Sequence, residues 1–337
     1  MHSPLTARHR VALAEVLAVL FMGMIAAAAH TTGVSLLLFP ELAALSHDVF
    51  TRPRGKWAGQ PFRLILTPTL TGTAGLLISR YTHYGAFQVL LITLVSLTVI
   101  RLLRSAIGPA ISAGVLPLVL GERHWAYPLA ILIGLAGLAI SLWIWKAFTL
   151  RGEESLSETP VNSIDDALEA RPDDRFWLAH LLSFVLVLAS IGQFTGLHFL
   201  LFPPLIVMAY ELFGHPKLPG WIKRPTLFPL TCFLTAGVGF SLLRLLGNNP
   251  LSVVMTVALS ILVLRIFRAH MPPALAVGLL PYVMEAPSIW YPISVGLGTA
   301  LLSMWFAVRV RFQCSKSFPD ESTHQREAQP PVRIVGD

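Results

Sequence analysis

The sequence predicts an all-α polytopic membrane protein made of two parallel pseudo-repeats. Each repeat has about six apolar segments, two of them short or Pro-broken. Three observations carry this prediction. Of 337 residues, 54% are hydrophobic and 13% charged, against roughly 25% charged in an average soluble domain. The 18 acidic residues are unevenly placed: eight fall between Glu153 and Asp174 and four follow Phe318. That leaves Glu15, Glu41, Asp48, Glu122, Glu211 and Glu285 for the remaining chain. So few charges cannot cover a soluble globule, which excludes a soluble enzyme, a disordered chain and a disulfide scaffold. The third observation is internal similarity between the two halves.

The similarity is specific. Thr32-Gly33-Val34-Ser35-Leu36-Leu37-Leu38-Phe39-Pro40 recurs as Thr195-Gly196-Leu197-His198-Phe199-Leu200-Leu201-Phe202-Pro203. After a one-residue shift, Trp57 to Leu138 aligns without gaps on Trp221 to Leu302, and 24 of these 82 positions are identical. The matches include Pro61/Pro225, Gly75/Gly239, Arg101/Arg265, Arg104/Arg268, Pro109/Pro273, Gly114/Gly278 and Tyr127/Tyr291. Chance likeness between leucine-rich helices would not align prolines and arginines, so the chain is read as a tandem duplication. Four regions follow: a first membrane repeat over 1–150, an acidic linker over 151–175, a second repeat over 176–312 and a disordered tail over 313–337.

The apolar segments of the first half lie near 11–29, 31–45, 62–79, 86–103, 107–120 and 127–146. Those of the second lie near 177–194, 196–212, 226–243, 250–267, 271–284 and 288–308. The run from Val11 to Ala29 behind Arg8 and Arg10 has the form of a signal peptide. Glu15 within it, and the many spans that follow, favour an uncleaved first span. In each half the Leu-Leu-Phe-Pro segment and the segment opening at Gly108-Pro109 or Pro272-Pro273 are shorter than the roughly 20 residues of a full span. Each is read as either a broken crossing or a re-entrant segment.

Charge arbitrates the topology. Six crossings per half collect Arg52, Arg54, Lys56, Arg63, Arg101, Arg104, Lys146, Lys217, Lys223, Arg224, Arg265, Arg268, Arg309 and Arg311 on one side. Arg80, Arg123 and Arg244 remain on the other. This predicts a multi-pass protein of the cell (inner or plasma) membrane with both termini and the linker in the cytoplasm. An even number of crossings per half makes the repeats parallel, related by an axis along the membrane normal. The net charge of +7 is thus a matter of topology rather than of nucleic acid, and no nucleic-acid partner is expected. Cys232 and Cys314 form no metal or disulfide pattern.

The order of features resembles the integral membrane HPP family. The resemblance rests on Thr32 to Pro40, the Arg52-Pro53-Arg54 loop, two spans near 64–103, Ile107-Gly108-Pro109-Ala110 with Gly114, and Tyr127 onward. The second half repeats the order with His215-Pro216-Lys217 and His270-Met271-Pro272-Pro273-Ala274. The chain therefore looks like two fused HPP-like units. It departs at the His-Pro-Pro motif itself, where Ile107 and Met271 stand at the His position and Gly108 replaces the first Pro of the first half. Members of the family are implicated in nitrite transport, so the resemblance implies a membrane transporter or channel for a small inorganic anion. The alternative is a non-transporting membrane scaffold or assembly subunit.

The candidate substrate-binding residues follow from the broken segments. A short helix that begins inside protein offers free backbone N–H groups and the positive end of a dipole. Pro109 and Pro273 suit a first helical turn, with Gly108 and Pro272 before them. Gly114 and Gly278 would admit close backbone contact between the two short helices across the pseudo-twofold axis. Paired broken helices of this kind bind substrates in transporters, although plain kinked packing helices would carry the same residues. Arg104 and Arg268, each three residues after Arg101 or Arg265, read either as an anion funnel or as helix-end anchors that snorkel to the interface. Thr32 and Thr195 read either as hydroxyl donors to substrate or as helix caps. Glu15, Glu41, Asp48 and Glu211 lie in or beside apolar segments, where an acid is a functional hypothesis by default. Asp48 and Glu211 align, and both read as interfacial charges paired with Arg52 or Lys217, with proton coupling as the alternative. Glu41 aligns with Pro204 and so occurs in one half only. No catalytic motif or metal-ligand spacing is found among the 11 His residues or elsewhere, so no enzyme activity, metal or cofactor is expected. The expected partners are the lipid bilayer and a small inorganic anion, with homo-oligomerisation left open.

Overall fold

The computed structural model describes residues 4–149, 172, 176–215, 226–269 and 271–316. The linker and most of the tail expected from the sequence lie outside the described residues. The first half comprises α1 (Pro4–Thr32), a 3-10 turn (Ser35–Leu37), α2 (Glu41–Thr51), α3 (Pro61–Tyr81), α4 (Ala86–Leu102), α5 (Ala110–Leu120) and α6 (Ala126–Thr149). The second comprises α7 (Trp177–Thr195), a 3-10 turn (His198–Leu201), α8 (Pro203–Gly214), α9 (Leu227–Leu246), α10 (Pro250–Phe267), α11 (Pro273–Leu279), a 3-10 turn (Leu280–Val283) and α12 (Trp290–Lys316). The chain is an all-α polytopic membrane protein: seven of these helices are long and apolar enough to cross a bilayer.

The polarity of the packing is inverted relative to a soluble bundle. Phe62, Phe87, Leu102, Trp143, Phe148, Phe194 and Leu245 point outward and are more than half exposed. Thr67, Thr71, Thr93, Ser96, Thr231, Thr235, Thr256, Ser260 and Thr299 are buried. Small hydroxylated residues between helices and large apolar ones around them are what a hydrocarbon surround selects. Several of these hydroxyls, among them those of Thr71, Thr93, Thr231, Thr235 and Thr299, bond to helix carbonyls. Thr71 Oγ1 donates to Ala110 O at 2.6 Å, and Tyr127 and Tyr291 hydroxyls donate to Ala113 O and Val277 O at 2.6 and 2.5 Å.

Both ends of the bundle can be read from contacts. At one end Trp57 Nε1 donates to Ala106 O, Lys146 Nζ to Ala58 O, Arg63 Nη1 to Arg104 O and Arg309 Nη1 to Phe213 O, and Arg265 Nε reaches Glu15 at 3.1 Å. At the other end Arg80 lies over Trp125, Tyr84 stacks on His198, and Asn248 donates to Tyr282 O. The basic residues gather at the first end, as the charge bias requires. α5 leaves that end beside Ala106 and reaches the other before Trp125. The stretch from Thr32 to Arg52 likewise runs the full height through its 3-10 turn and α2. Both short segments of each half therefore run end to end as broken crossings.

The repeats recur as packing. Within each half, α3 or α9 packs on the following short helix and on the last helix. Between halves, α1 packs on α10 as α7 packs on α4, and α2 packs on α11 as α8 packs on α5. The halves are thus interleaved, and each short helix is held partly by the other repeat. Some equivalent positions do one job with different atoms. Trp145 Nε1 caps Phe50 O at 3.0 Å, and Arg309, its counterpart, caps Phe213 O at 3.1 Å.

Candidate substrate site

The Pro-led helices are built as the sequence suggests but are used differently. Gly114 of α5 packs on Gly75 of α3, so closely that a Cβ at Gly75 would overlap the Gly114 carbonyl. Gly278 of α11 packs on Gly239 of α9 in the same way. The close backbone approach thus lies within each half rather than across the axis. α5 and α11 instead turn their other faces to α8 and α2.

The first-turn amides of both short helices are already engaged. Ala110 N donates to Ile107 O, Ile111 N to Gly108 O and Ala113 N to Pro109 O; Ala274 N donates to Met271 O and Leu275 N to Pro272 O. Gly108 and Pro109 are buried, and a Cβ on Gly108 would lie 3.8 Å from Glu211 Oε1 of α8. Pro272 precedes α11 and Pro273 begins it. The backbone donors assigned to an anion are therefore largely internal, and a carboxylate of the other repeat stands beside the α5 start.

Arg104 and Arg268 share a feature the sequence does not show. Both adopt φ of 50° in the left-handed region, each just past a helix C-terminus. Arg104 N bonds Arg101 O and Ser105 N bonds Ile100 O; Arg268 N bonds Arg265 O and Ala269 N bonds Leu264 O. This is the 6→1 helix stop normally made by glycine, and it aims the chain into α5 or α11. Both arginines are exposed. Thr32 and Thr195 are exposed too, with hydroxyls donating back to Ala28 O at 2.6 Å and Ile191 O at 2.7 Å.

A cavity of about 190 Å³ opens at the end opposite the basic one, between the two repeats. His30 and Ser35 line it from the first half, and Asn248, Asn249 and Tyr282 from the second. Tyr282 OH meets Ser252 Oγ at 2.5 Å and Thr256 Oγ1 at 2.8 Å. Ser252, Thr256 and Ser260 follow one another at i,i+4 along the buried face of α10, and Ser260 lies against Gly278. A file of hydroxyls therefore leads from the cavity wall to the middle of the bundle. Its last member, Ser260 Oγ, has no hydrogen-bond partner, nor does its counterpart Ser96 Oγ.

The equivalent place at the other repeat interface is filled. Tyr84 stands where Asn248 does, His198 where Ser35 does and Gln193 where His30 does. The Tyr84 and His198 rings stack with centroids 4.0 Å apart, and Gln193 Oε1 accepts from Ala86 N at 2.9 Å. Burial pushes the Tyr84 hydroxyl up to about 12. None of the cavity residues was assigned to the substrate site from the sequence. The signal that could have found them is a difference between aligned repeats: small or amide side chains on one side, a plugging aromatic pair on the other.

Glu41, one of the four acids the sequence marks out, is buried in the bundle. It begins α2, is 2% exposed, and accepts a hydrogen bond from Ser112 Oγ of α5. Its second oxygen, Oε2, has no partner. At the basic end, by contrast, Asp48 is bound by Arg52, whose Nε lies 2.8 Å from Oδ1. No family model, no curated protein and no solved structure matches the chain.

Proposed function

We propose that this chain is a membrane transporter or channel for a small inorganic anion, with its route between the two repeats. The carrying observation is the cavity between the repeats, whose wall residue Tyr282 begins a buried file of hydroxyls through Ser252, Thr256 and Ser260. Its lining supplies amide, imidazole and hydroxyl donors and no acid. Neutral donors of this kind bind an anion weakly enough to release it, as permeation requires. The interleaved repeats and paired broken segments add support, since transporters place sites at such interfaces. The likeness of the sequence to the HPP family points to a nitrite-like ion. The basic end is the cytoplasmic end under the positive-inside rule, in the cell membrane.

Purified protein in liposomes, offered nitrite, nitrate, formate and chloride in turn, tests this reading. Saturable uptake of at least one ion is expected, reduced in Ser252→Ala/Thr256→Val. Absence of protein-dependent flux for all four would leave the non-transporting scaffold as the reading.

A further inference from the structure

Glu41 is the one described acid set in the interior of the bundle away from any basic side chain. The fold does not require it. The second repeat has Pro204 in place of Glu41 and Ala276 in place of Ser112, both buried, and still forms the corresponding pair of short helices. A carboxylate with an unpaired oxygen in such surroundings is costly to keep charged. A residue that burdens one repeat, and that the other does without, is a candidate for function.

We propose that the Glu41 carboxyl is a proton-binding site that takes up and releases one proton per transport cycle, which would make the proposed anion carrier proton-coupled. This rests on the transport reading above. Ser112 Oγ donates to one carboxyl oxygen, and Oε2 carries the proton. The proton comes from water and returns to water, with no other bond changed. Leu38, three residues before Glu41, lines the outer cavity, so the acid lies one short step along the chain from the solvent-facing site. A neutral acid there removes the charge that would repel an entering anion, and an emptied one restores it. Binding of the two is thereby linked.

The other titratable groups around Glu41 do not offer an alternative. Tyr127 of α6 and Tyr291 of α12 are within electrostatic range, but both hydroxyls are bound to helix carbonyls. α5 and α11 carry no titratable side chain. α1 holds Glu15, paired with Arg265 toward the basic end, His9 and Arg10 near its start, and His30 at the cavity. On α2 itself, His47 and Asp48 lie two turns on, and Asp48 is bound to Arg52. Lys146, at the end of α6, donates to Ala58 O.

The experiment uses the full chain in liposomes. Dicyclohexylcarbodiimide, which attacks protonated carboxyls in apolar surroundings, should label Glu41 at neutral pH and less as pH rises, with the adduct mapped by mass spectrometry. Infrared spectra should show a protonated-carboxyl band that Glu41→Gln removes and that Ser112→Ala shifts to higher frequency, because a donor to the carbonyl is lost. For nitrate and chloride as probes, whose strong acids do not cross lipid in neutral form, a gradient of one pH unit should drive about tenfold accumulation at one proton per anion, and none in Glu41→Gln. Gln preserves the shape and neutrality of the acid, and a monodisperse variant that still takes up the probe downhill is folded. If Glu41 stays unlabelled and the infrared band is unchanged in Glu41→Gln, the proton site is wrong. If the probes move at a pH-independent rate in wild type and variant alike, transport stands and the coupling falls. If Glu41 is labelled and titrates while no probe moves, the proton site stands and the transport reading falls.

Discussion

Tyr84 of the first repeat stacks on His198 of the second, ring centroids 4.0 Å apart at an interplanar angle of 23°, and closes one of two equivalent repeat interfaces. At the other interface Asn248 and Ser35 leave the space open. Duplication thus produced two interfaces, of which one carries a cavity. The asymmetry lies in side chains and in the 3-10 turn Leu280–Val283, which carries Tyr282 where the first half continues α5.

Unplugging the closed interface is the direct test. Tyr84→Asn combined with His198→Ser should create a second cavity. A cysteine replacing Ala189, the buried counterpart of the cavity-lining Ala26, should react with an impermeant thiol reagent in this variant and not in the plugged protein. Loss of the ring pair should cost about 0.5–1.5 kcal/mol beyond the area lost. An unreactive position 189 in the folded variant would mean that something other than the ring pair closes this interface.

Helix crossings make a second prediction. Gly75→Ala and Gly239→Ala should each be severely disruptive, because the added methyl meets a backbone carbonyl that cannot swing aside. Overpacking of this kind costs about 1–3 kcal/mol or more. Gly137→Ala and Gly237→Ala, where nothing lies within 4 Å of the new methyl, should leave thermal stability in detergent unchanged or slightly raised. Equal behaviour of the four variants would mean that the glycine contacts do not set the helix spacing.

The left-handed arginines allow charge and backbone to be separated. An ordinary residue in that conformation is disfavoured by roughly 1–2 kcal/mol, and Asn tolerates it best after Gly. Arg104→Asn/Arg268→Asn should therefore fold at least as well as wild type. If the arginines steer anions, initial nitrite uptake by the double variant should fall at low ionic strength and approach wild type at high salt. Unchanged uptake at both would identify them as helix-end anchors.

Topology is checked with cysteines at two exposed loop positions in a background lacking Cys232 and Cys314. Arg54→Cys, at the basic end, should be protected from impermeant reagent in intact cells. Glu285→Cys, at the opposite end, should be labelled. The reverse pattern would invert the protein in the membrane.

Much of the architecture is legible in the residues. Apolar segment lengths, the alignment of Pro109 with Pro273 and Gly114 with Gly278, and the crowding of arginine on one side lead directly to a duplicated, all-helical membrane protein. These are local or periodic properties, and a bilayer leaves the backbone few ways to satisfy its hydrogen bonds. The site was less legible. Gly114 and Gly278 announce a close approach but not its partner, and Gly75 and Gly239, equally visible as an aligned pair, prove to be the ones. Pro-led helix starts suggest free amides, yet backbone carbonyls three or four residues earlier take them up.

Composition, repeat and charge placement thus determined by themselves that the chain is a tandem bundle of membrane helices with two broken segments per half, because each follows from segment length, identity and sign along the chain. Only the tertiary structure decided that the halves interleave, that one interface is plugged by Tyr84 and His198 while the other stays open, and that Ser112 reaches Glu41 across 71 residues of sequence. Those outcomes depend on which side chains meet when helices distant in sequence pack. In hydrocarbon that choice is made by close fit and hydrogen bonding between particular atoms, for which a single helix carries no local signature.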